Sequence, residues 1–251
     1  QGKGEGRWML STKGRVFAIH SRSLAGEDDI VRLQRAFLDR RQSTEEGREW
    51  LGKLEINRLH LRAFRHLSTK STKALIIFMA LGYVAELVVG AVKPYTLLGG
   101  DPFILLTLGA YSGAFSGPEH WYRLVATLCL HAGLVHLYFN GVALWAVGGI
   151  VERLLGPSRY LFVFLVSGTM SAYLSGLSRD GEALVGASAG ICGLIGSFWL
   201  LHLFRQSPIP RALRQPARSW LVFLLLNSAL LLVFPQIDWF AHLMGFLIGV
   251  V

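Results

Sequence analysis

The chain has 251 residues, 52% of them apolar and 16% charged, with a mean hydropathy of +0.44 and a net charge of +9. A soluble domain carries about a quarter charged residues, so this balance excludes an ordinary water-soluble enzyme and points to several membrane spans. The excess of basic residues comes with no aromatic-interleaved basic patch and no Cys/His spacing suited to zinc, which argues against a nucleic-acid partner and a metal site.

Residues 1–73 differ from the rest. In RWMLSTKGRVFAIH, two β-like runs flank the turn signal Thr12-Lys13-Gly14, which predicts a hairpin. Charged helical patterns follow from Glu27 to about Arg41 and from Glu45 to about Leu67, the second with Trp50, Leu54 and Leu61 at helical spacing. This part reads as a small, soluble, basic segment. Its purpose is open: substrate selection, lipid contact and regulation all fit.

Apolar spans begin at Ala74, so 74–251 reads as the membrane domain. A helix needs about 20 apolar residues to cross a bilayer. Residues 74–92 qualify despite Glu86. The long connection 93–123 is too apolar for a solvated loop and too broken by Gly and Pro for a span, so it is expected to lie in the interface. Further spans are expected at 134–153, 160–177, 186–204 and 219–234, with a sixth from Trp239 that is cut off at Val251. The two cysteines, Cys129 and Cys192, lie in apolar segments and read as small hydrophobes rather than a disulfide framework.

Basic residues orient the spans. Arg58, Arg62, Arg65, Lys70 and Lys73 precede the first, Arg153 and Arg159 separate the second from the third, and Arg205, Arg211, Arg214 and Arg218 separate the fourth from the fifth. The remaining connections carry few: Lys93 and Arg123, then Arg179, then none. The amino terminus is therefore expected in the cytoplasm or its organellar equivalent. The second, fourth and sixth spans then begin on the opposite side.

Four polar residues fall at similar depth near that outer side: His136 and Asn140, Ser188 in GASAGICG, and His242. Singly, each has a plain reading. A serine in a Gly/Ala-rich helix is most often filler, a membrane histidine is most often a satisfied hydrogen-bond partner, and an i, i+4 His/Asn pair is as often a clamp between helices. Their convergence points to chemistry instead. A serine hydroxyl becomes a nucleophile when a base takes its proton, and histidine suits that task. Asp238, four residues before His242, is expected at the surface, which leaves a Ser188/His242 dyad without a third member. His136, Asn140 and the Ser188 backbone N–H are the candidate donors to a developing oxyanion. Gly186, Gly190, Gly193 and Gly196 on the fourth span, and Gly245 and Gly249 on the sixth, strip side chains from two helices and let them approach closely.

These residues resemble the rhomboid intramembrane serine proteases across about 74–251. HAGLVHLYFN (131–140) looks like the family's His/Asn stretch, GASAG its serine motif and AHLMGFLIG (241–249) its His/Gly motif. EHWYR (119–123) resembles its Trp-x-Arg element, and VERLLG (151–156) its glutamate-containing helix end. The resemblance implies an all-α, six-helix membrane bundle, with Ser188 as nucleophile, His242 as general base, and His136 and Asn140 in the oxyanion hole. Trp121, Arg123 and Glu152 take structural roles. It implies no cofactor. The implied partners are transmembrane substrates, cut near their outer ends, and membrane lipids. In two places the motif departs from the family's habit: Ala189 follows the serine where Gly is common, and Cys192 stands where an aromatic often packs on the histidine. The alternative is a non-catalytic relative that binds transmembrane clients, although such relatives are expected to lack the serine or the histidine. A channel or transporter would call for internal repeats, and the chain has none. The lack of a visible targeting segment points to a bacterial inner membrane, with an organellar membrane as the alternative.

Overall fold

A computed structural model describes residues 7–12, 15–20, 27–90, 99–178, 181–203 and 238–250. The expected fifth span, the Arg-rich connection before it, Lys93 and Arg179 lie outside these residues. Contacts divide the chain into two units, 1–62 and 63–251.

In the first unit, β1 (Arg7–Thr12) pairs antiparallel with β2 (Arg15–His20), Arg7 opposite His20 and Thr12 opposite Arg15. This is the hairpin that the two β-like runs predict. Two helices follow, α1 (Glu27–Gln42) and α2 (Glu45–His66). Thr44 caps α2, its Oγ1 accepting the Gly47 N–H at 3.1 Å. The ring of Trp50 meets Phe37 edge to face at 6.2 Å, and the Arg41 guanidinium lies 4.9 Å above it. Of the apolar stripe expected on α2, Trp50 thus meets α1, whereas Leu54 is exposed.

The second unit is helical. It contains α3 (Lys70–Gly90), α4 (Pro102–Thr107), α5 (Tyr122–Ala126), α6 (Leu134–Leu155), α7 (Pro157–Gly176), α8 (Ser188–Leu203) and α9 (Trp239–Val250). Length and composition let α3 and α6 cross a membrane. One side of α3 exposes Ile77, Phe78, Leu81, Val84 and Val88, a surface suited to lipid. On the other side Met79 joins a core with Leu144, Val151, Phe164 and Leu194. Within α6, residues Leu144–Gly148 form a π turn, a local widening of the helix. The stretch before α6 holds two short helices and two single turns instead of a span. There Asp101 caps α4 through the Phe103 N–H at 2.8 Å.

The glycines divide by helical face. On α8, Ala189, Gly193 and Gly196 share one face, since 100° per residue brings positions four and seven apart nearly into line. A Cβ at Gly196 would overlap the Phe246 carbonyl of α9, and Cβ atoms at Gly245 and Gly249 would overlap the Ala189 and Gly193 carbonyls. Gly190 lies about 100° away and faces α7, where a Cβ would stand 2.8 Å from the Phe164 carbonyl oxygen. Gly186 precedes the helix and faces His136. The expectation that all four glycines thin the fourth span toward the sixth therefore holds outright for Gly196; Gly193 serves two neighbours, since a Cβ there would overlap the Ser167 side chain of α7 and stand 3.2 Å from the Gly245 carbonyl oxygen of α9, while Gly186 and Gly190 serve others.

α3 starts at Lys70, four residues before the expected span, and Glu152 accounts for the difference. Its buried carboxylate accepts the Ser71 and Thr72 backbone N–H groups, both at 2.8 Å, and the Thr72 hydroxyl at 2.7 Å. These N–H groups are orphans of the first turn, here capped from another helix. The Thr72 hydroxyl also lies 3.1 Å from the Tyr160 hydroxyl of α7, so three helices meet at one carboxylate. Glu152→Ala would leave the buried Thr72 N–H and the half-buried Ser71 N–H unpaired, at about 1–3 kcal/mol for a buried group. A marked drop in the thermal midpoint in detergent is the expected result, and an unchanged midpoint would refute this role.

Candidate active site

The candidate residues sit on the first turns of three helices. His136 is the third residue of α6, Ser188 opens α8, and His242 is the fourth residue of α9. All three are half-buried.

Three supports set the position of Ser188. The Leu184 N–H donates to the Tyr111 carbonyl at 2.7 Å, the Thr127 hydroxyl donates to the Leu184 carbonyl, and the Gly186 N–H donates to the Thr127 carbonyl at 2.9 Å. The chain is thus held extended until Gly186, whose φ of +113° turns it into the helix. L-residues rarely adopt this φ. The Ile191 N–H bonds the Ala187 carbonyl at 3.0 Å, so the N–H groups of Ser188, Ala189 and Gly190 are the unpaired donors of the first turn.

His242 Nε2 lies 2.6 Å from Ser188 Oγ. The Ser188 hydroxyl donates and the imidazole nitrogen accepts, which is the arrangement a base needs to take the proton. The backbone contact between α8 and α9 makes this distance possible. Asp238 fixes the start of α9. Its Oδ1 accepts the Ala241 N–H at 3.0 Å, and its carbonyl accepts the His242 N–H at 3.2 Å. Ser175, buried near the end of α7, donates its hydroxyl to Asp238 Oδ2. Asp238 is therefore half-buried and tied to α7 rather than the expected surface residue. It orients His242 by capping the helix.

His136 faces the same point. A Cβ at Gly186 would stand 2.6 Å from His136 Cε1, 2.9 Å from Nε2 and 3.7 Å from Ser188 Oγ. His136 Nδ1 accepts the Ala132 N–H at 3.2 Å, so the neutral ring carries its proton on Nε2, the edge near Gly186. That N–H is a donor aimed beside Ser188. Asn140 is buried one turn on, and its Nδ2 donates to the His136 carbonyl at 2.9 Å. The amide nitrogen has a second hydrogen to offer.

The other candidates are spread along the fold. Arg123 staples the loop before α6, its Nη1 donating to the Leu106 and Ala110 carbonyls at 2.8 and 3.0 Å, with the guanidinium 4.2 Å above Phe115. Trp121 is exposed, as suits an interfacial aromatic. Glu152 lies at the far end of α6. Sequence reasoning missed Thr127, Tyr111 and Ser175. No local pattern marks them, because each acts on a segment distant in sequence. Asp238 did carry a signal, as an N-cap residue directly before an apolar run.

The family model of the Rhomboid domain matches residues 118–251. Rhomboid protease GluP of Bacillus subtilis is 30% identical over 145 residues, which are 58% of this chain and 28% of that protein. Putative rhomboid protease YdcA of the same organism is 34% identical over 128 residues, 50% of this chain and 62% of that protein. Inactive rhomboid protein 2 of Homo sapiens is 32% identical over 137 residues, 53% of this chain and 15% of that protein. The chain thus spans less than two thirds of the length of each of these relatives. With the family match covering more than half of its residues, the chain belongs to the rhomboid family of integral membrane proteins.

Proposed function

We propose that the chain is an intramembrane serine endopeptidase that cleaves transmembrane helices of other membrane proteins near the outer face. The observation that carries this reading is the 2.6 Å hydrogen bond between Ser188 Oγ and His242 Nε2. The names of the relatives called proteases support it. Ser188 attacks the scissile carbonyl while His242 takes its proton. The carbonyl oxygen becomes an oxyanion, which accepts from the Ser188 N–H, His136 Nε2–H and the Asn140 amide. As the C–N bond breaks, His242 returns the proton to the leaving amine. Water, deprotonated by the same histidine, then attacks the acyl-enzyme carbonyl, and the acid product leaves as Ser188 is reprotonated.

On this reading the amino-terminal segment 1–73 lies on the cytoplasmic side, and the site opens to the opposite face. The chain resides in a bacterial inner membrane. The organellar alternative draws on a relative named RHOMBOID-like protein 6, mitochondrial, of Arabidopsis thaliana, 33% identical over 154 residues.

Reconstituted protein with a model transmembrane substrate tests the dyad. Ser188→Ala and His242→Ala should each lower cleavage by at least about 10³-fold. Persistent cleavage in either variant would end the dyad reading. A serine-reactive probe should label Ser188 only when His242 is intact. Failure of labelling under all conditions would favour client binding, in line with the name of the inactive human relative.

His136→Ala should lower kcat by about 10²–10³-fold with little change in KM, because its donor bond strengthens in the transition state. Asn140→Ala should act in the same direction but more weakly, since its observed bond braces the His136 carbonyl. A loss confined to KM would speak against an oxyanion role.

Gly186→Ala places a methyl where His136 stands, on a backbone that L-residues avoid. It should lower kcat while the fold, followed by thermal melting, survives. Activity equal to the parent would mean that His136 need not lie at Gly186 during turnover.

A further inference from the structure

Glu86 lies within a span, is fully buried, and takes no part in the mechanism above. An ionisable residue in a membrane helix is costly to retain, so its partner is informative. Glu86 Oε1 accepts the backbone N–H of His131 at 2.7 Å. One turn earlier on α3, Gly82 makes this reach possible: a Cβ there would overlap the Cys129 carbonyl. That carbonyl also accepts from His131 Nδ1 at 3.1 Å.

The segment so held is the one that holds His136. The Gly133 N–H closes a tight turn on the His131 carbonyl at 2.8 Å, and Gly133 has a φ of +103°. Between them, Ala132 donates its N–H to His136 Nδ1. The His131 ring meets the His136 ring at 5.2 Å, inclined by 64°. Both contacts that fix the tautomer and tilt of His136 therefore come from residues 131 and 132, anchored to α3 by one carboxylate.

We propose that Glu86 is a positioning residue for the oxyanion donor: by accepting the His131 N–H, it sets the turn whose next N–H keeps the His136 proton on Nε2. The proposal concerns the donor named under the proposed function and rests on that reading for its catalytic consequence. The required feature is an acceptor oxygen at this reach. Glutamine supplies one, whereas methionine, of similar volume, does not.

The test is a double-mutant cycle on the full chain in proteoliposomes. Glu86→Met should lower kcat about tenfold or more with KM within about threefold, as expected of a slightly misplaced catalytic group. Glu86→Gln should stay within about threefold of the parent. In a His136→Ala background, Glu86→Met should cost less than about twofold further, because the group it positions is gone. An equal loss in both backgrounds would overturn the proposal, as would a Gln variant as impaired as Met. If Glu86→Met does not fold, Glu86→Asp, whose shorter side chain withdraws the acceptor, is read in its place. A second readout needs no turnover: ring 15N shifts of His136, assigned by their loss in His136→Ala. They should report a proton on Nε2 in the parent and in Glu86→Gln, and mixed tautomers in Glu86→Met. Unchanged shifts in Glu86→Met would overturn the proposal even in a chain that cleaves nothing. Absent cleavage with shifted tautomers would overturn the proteolytic reading alone.

Discussion

Where α8 meets α9, backbone meets backbone at Gly196, Gly245 and Gly249. The carbonyls of Ala189, Gly193 and Phe246 occupy space that a Cβ on the facing helix would need. Lipid tails are as apolar as leucine, so burial of hydrophobic surface does little to bring membrane helices together. Dispersion over a close backbone contact takes its place. This contact fixes the distance between the helices, and a serine and a histidine on their first turns then fall within hydrogen-bond reach. A single added methyl at Gly249 or Gly245 would separate backbones rather than displace a flexible side chain.

Among the described residues no carboxylate is hydrogen-bonded to the His242 ring, so His242 is oriented by other means. Asp238 does this at one remove, capping the turn that carries His242 and tying it to Ser175 of α7. Cys192 stands where the family resemblance implies an aromatic against the histidine. A capped helix start offers another route to the same end, because it limits fraying of the turn on which the ring stands.

Much of the site was legible from single residues. Ser188, His242, His136 and Asn140 stood out because polar groups in apolar runs are rare, and the Lys/Arg distribution put them at one depth. The two β-like runs around Thr12-Lys13-Gly14 likewise marked the hairpin. Less legible were features set by contacts between distant segments. Lys70 begins α3 because Glu152, some eighty residues on, caps it. Asp238 looked like a surface residue because Ser175 lies on another helix. Gly190 was grouped with Gly193 and Gly196 by composition, whereas the helical angle assigns it to α7. Glu86 registered only as a blemish in a span, since nothing nearby in sequence announces the His131 N–H.

Three helices begin around the serine, and in lipid every unpaired N–H of a first turn needs a partner. The starts of α8 and α9 meet this need differently. Asp238 gives α9 a charged acceptor, which offsets the positive end of that helix. At the corresponding position before α8 stands Ala187, fully buried and without a polar side chain. A serine, threonine or aspartate there is the usual cap, and its oxygen would bond the N–H of Ala189 or Gly190. Alanine leaves these donors and the partial positive charge of α8 uncancelled beside Ser188. Of the two helix starts, the one that carries Ser188 is thus the one that can receive a negative charge. The missing cap places the need for an acceptor where an oxyanion would form.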